Sequence, residues 1–177
     1  ITTDQQRFDT IAALGNRHIY TPHLDWLVDE GITFTRAYTD VPVCMAARAT
    51  IMTGKGGYNA GLTSNNPANV PMQRFPTLPG LLTQAGYQTR AQGKMHFQPM
   101  RANYGFEHME LPMDYYRERH RNGHEGLPKE HGVGENEIVP VISTVDETQS
   151  LTYWTVRRSI DFCLLYTSDA ADELLGV

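Results

Sequence analysis

Two stretches of the chain share one arrangement of apolar and polar positions. In Tyr20–Tyr38, YTPHLDWLVDEGITFTRAY, residues Leu24, Leu27 and Val28 fall on one face at helical spacing. Thr21 is placed to cap that helix, and Pro22 suits a first turn whose N–H groups have no intrahelical acceptor. Gly31 fits the left-handed position after the last turn, and Ile32–Phe34 then reads as a strand. Thr77–Gln92, TLPGLLTQAGYQTRAQ, repeats this order. Leu78, Leu81, Leu82 and Ala85 form the apolar face, Gly86 the stop, and Tyr87–Ala91 the strand. Helix, glycine and strand, twice over, predict an α/β fold with a mostly parallel sheet flanked by helices. In such folds ligands gather at the carboxyl ends of the strands.

Elsewhere the pattern is weaker. The opening ITTDQQ reads as the end of a strand, with neither the charged nor the apolar region of a signal peptide. Asn59–Pro76, rich in Asn, Pro, Gly and Ser, reads as loop, and Arg101–Glu137 as irregular. That much structureless chain is expected to line a site or to pack on other segments. Thr144 and Glu147 form a capping-box pattern that opens a helix from Val145 to about Phe162.

Composition removes several function classes. The chain has 177 residues, so one domain is the prior, and 40% of them are hydrophobic. No apolar run approaches the roughly 18–20 residues of a membrane-spanning helix. The net charge of −5 gives no electrostatic footprint for nucleic acid. The run Tyr115–His131 mixes both signs and reads as a solvated loop. Two cysteines make no disulfide framework. His108, His120, His124 and His131 match no zinc spacing and are read as loop residues. Tyr153 and Trp154 are read as packing residues.

The chemistry concentrates in Val43–Gly54, VCMAARATIMTG. Pro42 precedes a helical run over Ala46–Thr53, so Cys44 stands at a helix N-terminus with Arg48 one turn on. That position favours a thiolate or a bound anion. The alternative is a buried structural cysteine. Spacing argues against a cysteine phosphatase, because three residues rather than five separate Cys44 from Arg48, and Val43 rather than a histidine precedes the cysteine.

The run Cys44-Met45-Ala46-Ala47-Arg48, followed by Thr53-Gly54, resembles the signature of the type I sulfatases, in the alkaline phosphatase superfamily. Their pattern is Cys, any residue, Pro or Ala, any residue, Arg. Three further stretches resemble the same family: TTDQQRFDT (Thr2–Thr10), GNRHIYTPHLDWLVDEGITFTRAY (Gly15–Tyr38) and GKMHF (Gly93–Phe97). The resemblance implies that Cys44 is oxidised to formylglycine by a maturation enzyme. It implies a divalent metal, Ca2+, held by Asp4, Gln5 and the modified Cys44, with Gln5 standing where many members carry a second Asp. It also implies roles for the cationic residues: Arg48 clamps the hydrated aldehyde, Lys94 binds the sulfate, and His96 takes a proton from the second hydroxyl. The expected partner is a sulfated small molecule or glycan, and the family favours a periplasmic or secreted location.

The resemblance runs over Ile1–Phe162 and matches only the N-terminal part of the family's domain. The expected α/β fold is therefore incomplete, and this chain by itself is expected to be inactive. Residues 163–177 are expected to be non-native: CLLYTSDAADE resembles the translated end of a transposase adapter used in DNA library preparation. Two other readings stand beside the sulfatase one. They are a phosphonate or phosphate ester hydrolase of the same superfamily, and a non-catalytic binding protein with unmodified Cys44.

Overall fold

A computed structural model describes residues 1–66, 72–124, 142–143 and 145–174, without the side chains of 73 and 166–174. It divides into two compact units, residues 1–39 and 40–177, each described by itself.

The first unit is built on helix α1, Pro22–Glu30, as the apolar spacing predicts. Thr21 stands at its N-cap position, but its hydroxyl serves a tertiary contact. It accepts from Ala12 N–H at 2.8 Å and donates to the Asp25 carboxylate at 2.9 Å. Asp25 in turn accepts from Ala13 N–H at 2.8 Å. The first turn of α1 is thereby fastened to the 3₁₀ turn Ala12–Leu14. Gly31 is extended (φ −110°) rather than left-handed. Glycine is needed there for a different reason, since a Cβ would lie 2.6 Å from the Leu27 carbonyl oxygen. The strands expected at the chain start and at Ile32–Phe34 do not form among the described residues, where neither segment has a ladder partner.

The second unit contains the parallel sheet. Strand β1, Arg90–Gln92, pairs in parallel with β2, His108–Glu110, in the register Arg90 with His108 and Gln92 with Glu110. Helix α4, Leu78–Gln84, precedes β1, and Gly86 adopts the left-handed conformation (φ 86°) expected of it. Thr77 caps α4 by accepting from Gly80 N–H while its hydroxyl donates to Tyr104 O at 2.6 Å. Gly105 packs so close that a Cβ would stand 2.4 Å from Gly80 N.

The core of this unit is formed by helix α2, Cys44–Thr53, and the segments around it. Met45, Ala46, Ala49 and Met52 turn inward with the i, i+1, i+4, i+7 spacing of one helix face. They meet Ala60 of the short helix α3 (Gly57–Ala60), together with Leu62, Met72, Phe97 and Tyr104. Within this core the Phe97 and Tyr104 rings pack against each other, tilted, with centroids 5.2 Å apart. Asn59–Pro76 is accordingly not all loop, since it includes the end of α3 and a 3₁₀ turn at Met72–Arg74.

Arg101–Glu137 is more ordered than its composition suggests. It supplies β2 and helix α5, Pro112–Arg121, with Pro112 at the first turn and Asp114 accepting from Leu111 N–H at 2.8 Å. His108 and His120 therefore lie on β2 and α5 rather than in loops, and His131 lies outside the described residues. The last helix, α6, runs over Leu151–Leu174, later than expected. Asp146 caps a separate 3₁₀ turn, Glu147–Gln149, and Ser150 accepts from Tyr153 N–H at 3.1 Å to start α6. Thr144, the other half of the expected capping box, lies outside the described residues. The helix passes Phe162 without a break, and Cys163, Leu164 and Leu165 beyond it are exposed.

Candidate active site

Cys44 is the first residue of α2 and is half-buried. Val43, at the cap position, has no side-chain acceptor to offer. The orphan N–H of Met45 is met instead by Asn65 Oδ1 at 3.0 Å, reaching in from the loop after α3. The helix dipole and the remaining unpaired N–H groups give this end a partial positive charge.

Two cations join it. Lys94 Nζ lies 4.0 Å from Cys44 Sγ, at the limit of a hydrogen bond to sulfur. Arg48, one turn into α2, donates from Nη1 to the Lys94 carbonyl oxygen. The helix bearing the cysteine is thus tied to the segment bearing the lysine, and residue 44 sits in an anion-favouring pocket of charge.

The segment that delivers Lys94 is anchored on both sides. Gly93 N–H donates to Glu110 O at 2.8 Å, extending the sheet ladder by one bond, and Phe97 is buried in the core. Exposure alternates as expected of a strand end, with Lys94 and His96 outward and Met95 and Phe97 inward. The backbone is nonetheless not extended, because Gly93 and His96 have φ values of 89° and 60°. A non-glycine residue in that region stores local strain, and such positions concentrate at functional sites.

The family model for sulfatases matches residues 1–145. The chain belongs to the sulfatase family. It is 31% identical to an arylsulfatase of Clostridium perfringens, over 92% of this chain and 38% of that protein. It is 36% identical to an N-acetylglucosamine-6-O-sulfatase of Bacteroides thetaiotaomicron, over 62% of this chain and 19% of that protein. Among solved structures, its fold matches a phosphonate monoester hydrolase of Agrobacterium radiobacter with a TM-score of 0.72 at 22% identity, over 92% of this chain and 36% of that one. The chain therefore spans less than two fifths of the length of these relatives.

In this sulfatase chain, Cys44, Arg48 and Lys94 come together, with His96 on the same segment as Lys94. Asp4 and Gln5 belong to the first unit, where both are exposed and Gln5 is left-handed (φ 56°). A Ca2+ ion takes about six to eight oxygen ligands. Asp4 and Gln5 bring one carboxylate and one amide oxygen, and Cys44 as a thiol brings a soft sulfur that a hard cation disfavours. Among the described residues no three His, Cys, Asp or Glu side chains are grouped to hold a metal. Asp4, Gln5 and the Cys44 thiol do not by themselves supply the oxygens that a Ca2+ ion needs.

Asn65 had no signature in the sequence. The clue that could have found it is indirect, since a helix opening on Val43-Cys44 lacks a capping side chain and must borrow one. Asp40 was missed in the same way. Its carboxylate accepts from Gly57 N–H at 2.6 Å and fixes the chain that follows α2.

Proposed function

We propose that the full-length protein hydrolyses a sulfate ester at a nucleophile formed from Cys44 by oxidation to formylglycine. The observation that carries this reading is the placement of Lys94 Nζ 4.0 Å from Cys44 Sγ at the N-terminus of α2. In its hydrated form the aldehyde supplies one hydroxyl to attack sulfur and a second through which sulfate is released. Around it, this chain's residues supply electrostatics and proton transfer. Lys94 and the helix N-terminus bind the anionic sulfate oxygens and the charge that develops on them. Arg48 holds the Lys94 segment against α2, and its charge adds to theirs. His96, on the same outward face, is assigned the proton of the second hydroxyl. Asp4 and Gln5 are proposed to contribute to a Ca2+ site that needs further ligands.

A sulfated saccharide is the favoured substrate class, supported by the name of the Bacteroides relative, an N-acetylglucosamine-6-O-sulfatase. A formylglycine-generating or sulfatase-maturing enzyme is then an obligatory partner. Phosphonate ester hydrolysis is the second reading, favoured by the solved structure whose fold this chain shares. Assay of the full-length protein on an aryl sulfate and on an aryl phosphonate monoester separates the two. Faster turnover of the sulfate, abolished by Cys44→Ala, is the expected result. Faster turnover of the phosphonate would transfer the site to the second reading, and sulfate turnover surviving Cys44→Ala would remove Cys44 from the chemistry.

A further inference from the structure

Helix α6 lays one face along the strand pair whose end carries Lys94. Thr155, Arg158, Ser159 and Phe162 recur at the i, i+3, i+4, i+7 spacing of one helix face, and all are half-buried. Arg158 pairs with the Glu110 carboxylate of β2 at 3.5 Å, and its backbone oxygen accepts from Gln92 Nε2 at 3.4 Å. Ser159 Oγ donates to Gln92 Oε1 at 3.4 Å, and the Arg90 guanidinium lies over the Phe162 ring at 5.4 Å. These contacts fall within the strands. Thr155, at the N-terminal end of the face, meets the chain just past β1, at Gly93. A Cβ on Gly93 would stand 2.9 Å from Thr155 Cγ2 and 3.4 Å from its Oγ1.

Gly93 is buried, and its φ of 89° turns the chain out of the strand immediately before Lys94. Other elements grip this turn by hydrogen bonds. Glu110 O accepts from Gly93 N–H, and Arg48 of α2 donates to the Lys94 carbonyl oxygen. Thr155 grips it by shape. A β-branched side chain on a helix has few rotamers, so its methyl makes a firm stop against the bare glycine Cα. The Lys94 ammonium extends from this turn to 4.0 Å from Cys44 Sγ. At that range a displacement of about 1 Å matters, because a catalytic group moved so far can cost orders of magnitude in rate.

We infer that Thr155 is a positioning residue for Lys94. Its methyl fixes the turn at Gly93 and, through that turn, the distance of the ammonium from residue 44. Helix α6 thereby takes part in the site without touching substrate. The inference rests on the sulfatase reading for what the ammonium does, and on packing for where the ammonium is held.

The test uses the full-length protein with two substitutions, Thr155→Ala, which removes the methyl, and Thr155→Val, which keeps it. On an aryl sulfate, kcat/KM is expected to fall about tenfold in Thr155→Ala and to stay within about twofold in Thr155→Val. With Lys94→Ala already in place, Thr155→Ala should cost nothing further, because the group it positions is gone. A purely structural role would give the same loss in both backgrounds. That result, unchanged turnover in Thr155→Ala, or an equal loss in Thr155→Val would overturn the inference. Calorimetry with inorganic sulfate in a Cys44→Ala background reads the same coupling without turnover. Thr155→Ala should weaken sulfate binding only while Lys94 is present, and binding indifferent to Thr155→Ala would overturn the positioning. Coupled sulfate binding in a protein that hydrolyses no sulfate ester would overturn the sulfatase reading and leave the positioning of Lys94 standing.

Discussion

At residue scale, the arrangement around residue 44 depends on a few side chains with separable tasks. Lys94→Ala removes the ammonium that lies 4.0 Å from Cys44 Sγ. In the full-length enzyme it is expected to lower kcat/KM for an aryl sulfate by about 10²–10³-fold, the scale of one lost electrostatic donor. A loss below about threefold would mean that Lys94 does not meet the charge that develops. Asn65→Ala leaves Met45 N–H without its acceptor. It is expected to destabilise the fold by about 1 kcal/mol, read from the urea midpoint, with a smaller effect on catalysis. Cys44, Arg48 and Lys94 each lie in a short contiguous pattern, which is why the sequence singled them out, and the structure brings the three close together. Asn65 was not legible, because its role depends on a loop returning twenty residues later to a helix that cannot cap itself.

At element scale, the contact of α5 with α6 is held by polar bonds as well as by the Tyr115–Trp154 ring pair. Glu118 is lowered below its ordinary value of 4.5, first by the Trp154 Nε1 hydrogen bond and then by Arg158 against the opposing effect of burial. Asp114 is pushed up by burial, but the hydrogen bonds from Arg101 and Leu111 N–H and the charges of Arg101 and Arg117 leave it below 3.8. A carboxylate with a depressed folded pKa contributes stability that is complete above its unfolded pKa and fades as pH falls through the folded one. The melting temperature is therefore expected to fall as pH drops below about 4.5, and Glu118→Gln should flatten that dependence. An identical acid profile in the variant would show that Glu118 carries none of it.

Gly93→Ala tests the neighbouring joint, since a Cβ there meets Thr155 at 2.9 Å and φ is 89°. A loss of about 1–3 kcal/mol is expected in urea denaturation. Helices α1 and α4 were legible from apolar spacing, α4 also from Gly86, and α2 from the helical run after Pro42. Helix α5 was not, because PMDYYRERHR buries only Tyr115 and presents charge almost all round. Its signals were the proline at the start, Asp114 three residues after the cap and the basic last turn.

At the scale of the whole molecule, the expected parallel α/β arrangement is present as one pair of three-residue strands among the described residues. The apolar face read for α4 exists, yet Leu78 and Leu81 are each 54% exposed, and on the face read for α1 Leu27 is 53% exposed. Apolar spacing identifies a face that is meant to be covered, but it does not say by what. This 177-residue chain alone is accordingly expected to bind a hydrophobic dye and to self-associate in light scattering. A monodisperse, dye-silent monomer would contradict that. The metal follows the same logic. Asp4 and Gln5 provide too few oxygens, so calorimetry of this chain alone should show no tight stoichiometric Ca2+ binding.

Cys44 is proposed as the precursor of the working group, and the mass of one peptide decides it. The full-length protein, produced with a competent maturation enzyme and shown to turn over an aryl sulfate, is digested with trypsin, and the peptide spanning residues 37–48 is weighed. Conversion of the thiol to an aldehyde exchanges sulfur and two hydrogens for one oxygen, a loss of about 18 Da. That loss is expected in the active preparation. An active preparation whose peptide keeps the full cysteine mass and an alkylatable thiol would contradict it.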